Sequence, residues 1–587
     1  MKDVVIKSYY FTNESFEELH DASIVGNSYF EKNLLSFLRD WPVVYLLKGS
    51  KKIYVGQSNN FLMRIKNHLS SDKKSFAKEV AVIFDKTANT SYTLHMESSL
   101  IRLLQADSTF EVDNKNNGSI NRSYYQRDTF YDERLEKFIW PKLKEMNIVT
   151  RDFFELQNDD VYKYSPFIPL ATDQYDSVVD ILRVLSKTSQ EGSFLIEGGA
   201  GTGKTVIGIF LLKLFLDKER YIYSDDTTSD LNYIKNVKNI RSVAFVVPQS
   251  SLRKTLKRVF RKIPGLSSKD VLSPTDVVNS GKFYDLLLVD EAHRLRRRKN
   301  ISQYASFDKS NRLLGFGNEG TELDWILKKS RNQIFFYDKG QSVKPTDISH
   351  DFFFKQVGSF LASYKLTSQF RVQAGSDYLD FLRSLFSCDV HTYPSLSNYS
   401  LELFDSISDL RREIFSKNSN SSGKSRLLAG YAWDWNSRKD GSRYDIFIEN
   451  EKFKWNSKLE DWLSFEELSE EVGCVHTIQG YDLEYAGVII GPELSYDEKN
   501  NKLIVIKKNY KDRNGKASIE DPEFLEEYIK NIYIVLLSRG IKGTYIYVCD
   551  PKLREYFKKH FSNLHSNIAL DSSLPVSVAE KNKKKYN

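Results

Sequence analysis

Cysteine is nearly absent from this chain: Cys388, Cys474 and Cys549 are the three in 587 residues, and they lie far apart. That excludes a disulfide scaffold and a cysteine-rich zinc site, and it suits a reducing compartment. The cytoplasm is the expected location. Long apolar runs are missing as well. No stretch approaches the roughly 18 apolar residues of a membrane span, and the run VIGIFLL stops at Lys213, so no membrane partner is expected. The opening MKDVVIKSYYFTNESFEELH carries charges where a secretory leader needs apolar residues, and no leader is expected there. No fixed-period repeat is visible. Nor is there a strong excess of one charge. Lys and Arg number 85 against 78 Asp and Glu, a net +7, which permits a nucleic-acid partner without demanding one.

What is present is a globular balance, with 41% hydrophobic and 28% charged residues. The length alone suggests about four domains. Aromatic residues make up 13% of the chain, and most are expected in cores. Residues 1–39 are a mixed N-terminal segment with a helix expected over Tyr29–Leu38. VVYLL (43–47) and IYVG (53–56), joined by KGSKK, read as a β-hairpin, and helical patterns follow near Phe61–Leu69 and Leu94–Gln105. Residues 146–170 are polar with Pro166 and Pro169, and read as a linker. From Ala171 onward apolar strands alternate with helices: SFLIEG, SVAFVVP, DLLLVD, QIFFYD, AGVIIG and TYIYVCD. Continuous apolar strands spaced by helices call for parallel sheets covered on both faces. Two groups of them predict two lobes, 171–355 and 356–560, ahead of a basic tail at 561–587.

The most specific motif is GGAGTGKT, residues 198–205, between the strand SFLIEG and an apolar helix. It fits G-x-x-x-x-G-K-[ST] in the context that a phosphate-binding loop requires. Gly198, Gly201, Thr202 and Gly203 would form the cradle, Lys204 would reach the β- and γ-phosphates, and Thr205 would hold Mg²⁺. Downstream, LLLVDEAH ends an apolar strand in two carboxylates. Asp290 would hold the metal through water and Glu291 would orient or deprotonate the attacking water.

The order of the remaining motifs resembles a superfamily 1 helicase motor. Asp173–Gln174 precedes the loop, where such motors place an adenine-reading glutamine. FFYDKGQ, with Asp338 and Gln341, resembles motif III; LTSQFR, with Gln369 and Arg371, resembles motif IV. His476, Thr477, Gln479 and Gly480 resemble motif V, and Ser538–Arg539 resemble motif VI. The resemblance implies two RecA-like lobes around ATP, with Arg371 and Arg539 supplying positive charge to the γ-phosphate when the cleft closes. GYAWDW (430–435), HTIQGYDLEYAGV, KNYKDRNG and LLSRGIKGTYIYVCD together resemble the schlafen-group 3 helicase domain, over about 170–555. The chain leaves little room for the large inserted subdomains that separate duplexes in many such motors, so ATP hydrolysis is expected more firmly than unwinding. Trp433 and Trp435 suit core packing better than base stacking. HRLRRRK (293–299) suits either a solvated helix face or phosphate contact.

Residues 40–145 form the remaining domain. VVYLLKGSKKIYVG resembles the hairpin of GIY-YIG nucleases, with Tyr45 closing the first triplet and Tyr54-Val55-Gly56 as the second. Arg64 and His68 follow on the next helix, Glu97 lies in LHMESSLIRLL, and FEVDNKNNG supplies Asn114 and Asn117 where the family often has an asparagine. Val43 departs from the pattern, which usually has glycine there. The resemblance implies a small α+β nuclease domain in which Glu97 holds Mg²⁺ or Mn²⁺, Tyr45 or Tyr54 handles water, and Arg64 neutralises the scissile phosphate. The substrate phosphate would complete the metal's coordination.

The expected protein is thus α/β: a GIY-YIG-like domain followed by two RecA-like phosphate-loop lobes. It would use ATP and a divalent metal on nucleic acid, DNA ahead of RNA, alone, as a homo-oligomer or with a partner in antiphage or restriction-type defence. That setting rests on architecture alone. Two alternatives stay open. One is an ATP-gated sensor whose N-terminal module binds without cutting; the other is an RNA- or tRNA-cleaving nuclease.

Overall fold

The computed structural model describes residues 4–571 apart from 16–33, 115–133, 158, 167, 169, 189, 220–229, 300, 302–303, 342–345, 370–373, 397–398, 421–423, 439, 458–461, 463–470, 479–482 and 513–521. Three sheets organise it. The N-terminal sheet runs, in spatial order, Val4–Tyr10, Glu79–Asp85, Val43–Lys48, Lys52–Ser58 and Glu111–Val112. Its first four strands pair antiparallel and the last pairs parallel. The hairpin forms where its alternating β-rich runs predict it, with Tyr45 opposite Gly56. Val43, at the expected glycine position, is buried in regular pairing with Ser58. Helices Phe61–Leu69 and Thr90–Asp107 cover this sheet, each N-capped by an asparagine side chain, Asn60 and Asn89. Of the N-terminal helix expected over Tyr29–Leu38, the described part runs Leu34–Asp40.

The second sheet is wholly parallel: Phe360–Leu366, Ser193–Gly198, Ser330–Tyr337, Tyr284–Val289, Val243–Val246 and Val271–Leu272. The third is also parallel: Ser400–Phe404, Gly540–Val548, Leu483–Ile490, Arg426–Ala429 and Val472–Gly473. All six apolar runs singled out in the sequence are strands of these sheets. Two small antiparallel hairpins decorate the second lobe, Ile446–Ile448 with Glu451–Phe453 and Leu494–Asp497 with Lys502–Val505.

Three expectations need correction. The first lobe does not end near residue 355, because Phe360–Leu366 pairs in parallel with Ser193–Gly198; the crossing to the second lobe follows Leu366. Residues 146–170 are not a free linker. They carry two short helices, Phe153–Gln157 and Asp160–Lys163. Ile148, Val149, Phe153, Leu156, Val161 and Leu170 enter one apolar core that runs from Val44 and Leu46 through Trp140 to Val178, Ile196 and Phe245. Burying each large apolar side chain is worth roughly 1.5–3 kcal/mol, so the N-terminal unit is welded to the first lobe. Finally, helix Pro551–Asp571 runs past residue 560 into the expected tail.

Candidate functional site

The phosphate loop is built by local rules. The strand Ser193–Gly198 ends in the loop, and helix Lys204–Leu216 starts at its far side. Gly201 and Gly203 have φ of +83° and +78°, a left-handed backbone that glycine adopts without steric cost. Lys204 is almost wholly buried. Its Nζ donates to Gly198 O at 2.6 Å and Gly199 O at 2.9 Å, and lies 3.2 Å from Asp338 Oδ2. Thr205 Oγ1 donates to Asp290 Oδ2 at 2.8 Å. The other oxygen, Asp290 Oδ1, is buried and has no protein partner.

Glu291 and Asp290 share a strand end yet are pushed in opposite directions. Burial, reinforced by the neighbouring Glu291 charge, raises the Asp290 carboxyl. Burial also works against Glu291, but His293, Arg294 and Lys204 overcome it and hold that carboxyl well below the usual range. His293 Nε2 stands 2.9 Å from Glu291 Oε2, and Arg294 Nε stands 3.2 Å from it. His293 Nδ1 accepts the Asp338 N–H at 3.3 Å. Glu291 itself sits at φ +49°, ψ +45°, a conformation uncommon for a residue with a side chain.

The segment resembling motif III borders the site. Gln341 Nε2 donates to Asp338 Oδ2 at 2.6 Å, and Arg294 Nη2 donates to Gln341 O at 3.0 Å. Burial raises the Asp338 carboxyl, but Lys204, His293 and Gln341 lower it below its ordinary value. Helix Pro522–Leu537 of the second lobe packs against this Lys339–Gln341 turn. Arg539, just beyond that helix, is buried in the second lobe, and its carbonyl accepts the Leu483 N–H at 3.0 Å.

Gln174 is buried and braces the loop. Its Nε2 donates to Thr202 O at 2.8 Å, while Oε1 accepts the Ala171 N–H at 3.0 Å. Asp173 accepts the N–H groups of Thr367 and Ser368 at 2.8 and 2.9 Å, tying the first helix of the lobe to the crossing segment. Gln369 Nε2 donates to Ala200 O at 2.7 Å. Arg371, Gln479 and Gly480 lie outside the described residues, as do the side chains of His476 and Thr477. Several cations of HRLRRRK are committed to carboxylates: Arg294 to Glu291, Arg296 to Glu322 and Arg298 to Asp308. Trp433 and Trp435 pack at the edge of a second-lobe core.

A second constellation lies in the N-terminal unit. Tyr45 is fully buried with its hydroxyl 2.8 Å from His68 Nε2, and Arg64 Nε donates to that hydroxyl at 3.3 Å. The Tyr45 hydroxyl therefore lies between Arg64, which only donates, and the His68 ring nitrogen. Burial, with Arg64 and Lys74 nearby, lowers His68 to about 4, so it is neutral and able to accept. The Tyr54 ring lies 6.4 Å from that of Tyr45 and 5.7 Å from that of His68. Lys74 Nζ sits 3.6 Å from the Tyr54 ring centre. Glu97 shares the electrostatic field of Tyr45, Tyr54 and Arg64. Burial raises its carboxyl to about 7, opposed by Arg64. Gly56 is required here, since a Cβ on it would meet the Tyr45 hydroxyl at 2.4 Å. Asn114 braces the hairpin through both the N–H and C=O of Val55, at 2.9 and 2.7 Å. Asn117 lies outside the described residues.

The structure thus gathers Tyr45, Tyr54, Arg64 and Glu97 into one cluster, and Gln174, Lys204, Thr205, Asp290, Glu291 and Gln341 into another. Lys74 was not singled out in the sequence, although its place on the KK pair after the helix offered a weak signal. The roles of His293 and Arg294 in setting Glu291 were also missed, although both lie within three residues of it.

Divalent-metal fit differs between the clusters. Asp290 Oδ1, buried and without a protein partner beside Thr205, suits a metal-bound water. Around Glu97 the protein offers one carboxylate, and among the described residues no group of three or more His, Cys, Asp or Glu side chains is placed to hold a metal ion. A metal there fits only with substrate oxygens completing its shell.

An all-parallel sheet ending in a glycine-rich loop, a buried lysine and a paired aspartate–glutamate define a phosphate-loop protein with a second parallel-sheet lobe against it. The chain belongs to the Schlafen group 3, DNA/RNA helicase domain family, whose model matches residues 191–550. That match spans the two lobes and supports a helicase-like ATPase; the N-terminal sheet lies outside it. The chain is 28% identical over 396 residues to the uncharacterized protein YPL245W of Saccharomyces cerevisiae, covering 62% of this chain and 83% of that protein. Looser likenesses are found among solved structures. Pif1 helicase from Candida albicans matches at 13% identity over 68% of this chain and 100% of that one, with a TM-score of 0.27. Pif1 helicase from Bacteroides, in complex with ADP-AlF3 and ssDNA, matches at 13% identity over 67% and 97%, with a TM-score of 0.23. At such scores neither structure's geometry is carried over to this chain. No helix among the described residues is long and apolar enough to cross a membrane.

Proposed function

We propose that the protein is an ATP-driven nucleic-acid motor, built on two RecA-like lobes, that works with a metal-dependent nuclease in its N-terminal unit. The observation that carries the motor is the linked set Lys204–Asp338–Gln341–Arg294–Glu291, in which the phosphate-binding lysine, the water-orienting glutamate and the motif III glutamine share hydrogen bonds. Lys204 holds loop carbonyls that phosphate oxygens can replace at little cost, because the lysine is already desolvated. Glu291, kept ionised by His293 and Arg294, accepts a proton from water or orients it. Mg²⁺, held by Thr205 and through water by Asp290, would neutralise the charge of the terminal phosphates. Arg539, and Arg371 beyond the described residues, would add positive charge as the lobes close, so hydrolysis follows lobe movement.

In the N-terminal unit, burial keeps the Tyr45 and Tyr54 hydroxyls protonated, so they orient water and phosphate rather than acting as strong bases. Arg64 would neutralise the phosphorane, and Glu97 would be the protein ligand for Mg²⁺ or Mn²⁺, which would stabilise the leaving oxygen. DNA is the proposed polymer, in a defence- or restriction-type setting. ATP turnover by purified protein, measured with and without single-stranded DNA, tests the motor. Turnover should rise with DNA and should vanish in Lys204→Ala. Turnover surviving in Lys204→Ala would refute the assignment of the loop.

A further inference from the structure

Nothing in the sequence motifs points to Arg383. It lies on helix Gly375–Ser387, whose Tyr378, Leu382, Leu385 and Phe386 are buried in the second-lobe core. Yet its guanidinium crosses to the first lobe. A Cβ built on Gly199 of the phosphate loop would stand 3.7 Å from Arg383 Nη2. Gly199 is the residue whose carbonyl receives Lys204 Nζ at 2.9 Å, so Arg383 and Lys204 approach the same stretch of loop. Arg383 Nη1 donates to Asp380 Oδ1 at 2.7 Å, an exposed i,i+3 pair on its own helix. Such a pair is weak and easily exchanged.

The charges explain the arrangement. The loop GGAGTGKT has no acidic residue, and it opens a helix whose N-terminus is electropositive. Lys204 is paired with Asp338 and Arg383 with Asp380, so both cations reach the loop with a carboxylate partner that an incoming phosphate can replace. The guanidinium fork suits a phosphate on two oxygens.

We propose that Arg383 is a second-lobe ligand of the nucleotide's β- and γ-phosphates, distinct from Arg371 and Arg539, and that nucleotide binding draws the two lobes together through it. This rests on the reading of the loop as an ATP site.

The test is affinity of the full chain for a non-hydrolysable ATP analogue and for ADP, in wild type, Arg383→Ala, Arg383→Lys and Asp380→Ala, with Lys204→Ala as reference. Arg383→Ala should weaken the analogue about ten-fold, the size of one lost charge-assisted hydrogen bond. Arg383→Lys should recover part of that, and Asp380→Ala should keep wild-type affinity. The Arg383 side chain is half-exposed, so the melting temperature should stay unchanged. Analogue and ADP affinities within two-fold of wild type in Arg383→Ala, with Lys204→Ala losing both, would overturn the proposal. Wild type binding neither nucleotide would instead overturn the ATP-site reading beneath it.

Discussion

At the scale of single residues, chemistry turns on carboxylates whose environments differ. Glu291 is held ionised by His293 and Arg294, so Glu291→Gln should bind ATP normally and hydrolyse it about 100-fold or more slowly, as expected for removal of a general base. Single-turnover kinetics beside nucleotide affinity check this; lost affinity would give Glu291 a different role. Glu97 is the opposite case. Burial raises it to about 7, so the charge it would need for the proposed metal binding is present above that pH and lost below it. Cleavage at limiting Mg²⁺ should therefore fall as pH drops through about 7, and more Mg²⁺ should move the fall to lower pH, because metal competes with the proton. A profile flat from pH 6 to 8, or one unmoved by metal, would separate Glu97 from metal binding. His68, lowered to about 4, stays neutral throughout that range and should contribute no titration to it.

At the scale of elements, what was legible in the sequence depended on how local the signal is. The phosphate loop, the Asp290–Glu291 strand end and the Tyr45–Tyr54 hairpin are contiguous patterns whose glycines and apolar runs dictate their own geometry. The lobe boundary was misplaced because the partner of Phe360–Leu366 is Ser193–Gly198, a pairing set by sheet order and invisible to a local pattern. Arg383 was missed for the same reason, since the loop it approaches is far away in sequence. The segment 146–170 misled because polar residues and two prolines surround its apolar positions, which meet other elements only in the fold. Phe153 and Leu156 are buried in the core shared by the N-terminal unit and the first lobe. Phe153→Ala should therefore destabilise the protein by about 3–5 kcal/mol, read as a lower denaturant midpoint. A near-neutral substitution would restore the linker reading.

At the scale of the whole molecule, the shared core fixes the N-terminal cluster to the first lobe, while Gln369 of the crossing segment and Arg383 of the second lobe reach the phosphate loop. In the proposed motor, relative movement of the lobes is the degree of freedom that ATP would drive, and the N-terminal unit would travel with the first lobe. A motor gripping a polyanion displaces counterions, so binding to single-stranded DNA should weaken steeply with salt. A salt-insensitive affinity would argue against a phosphate-tracking groove.

The coupling of the two clusters is the central claim, and a cleavage assay reads it directly. Purified protein with Mg²⁺ is given double-stranded DNA, single-stranded DNA and RNA, with and without ATP, alongside Glu97→Ala and Lys204→Ala. Cutting of DNA that disappears in Glu97→Ala and changes with ATP in wild type but not in Lys204→Ala is the predicted result. ATP turnover without Glu97-dependent cutting of any polymer would contradict it and leave a nucleotide-gated binding protein.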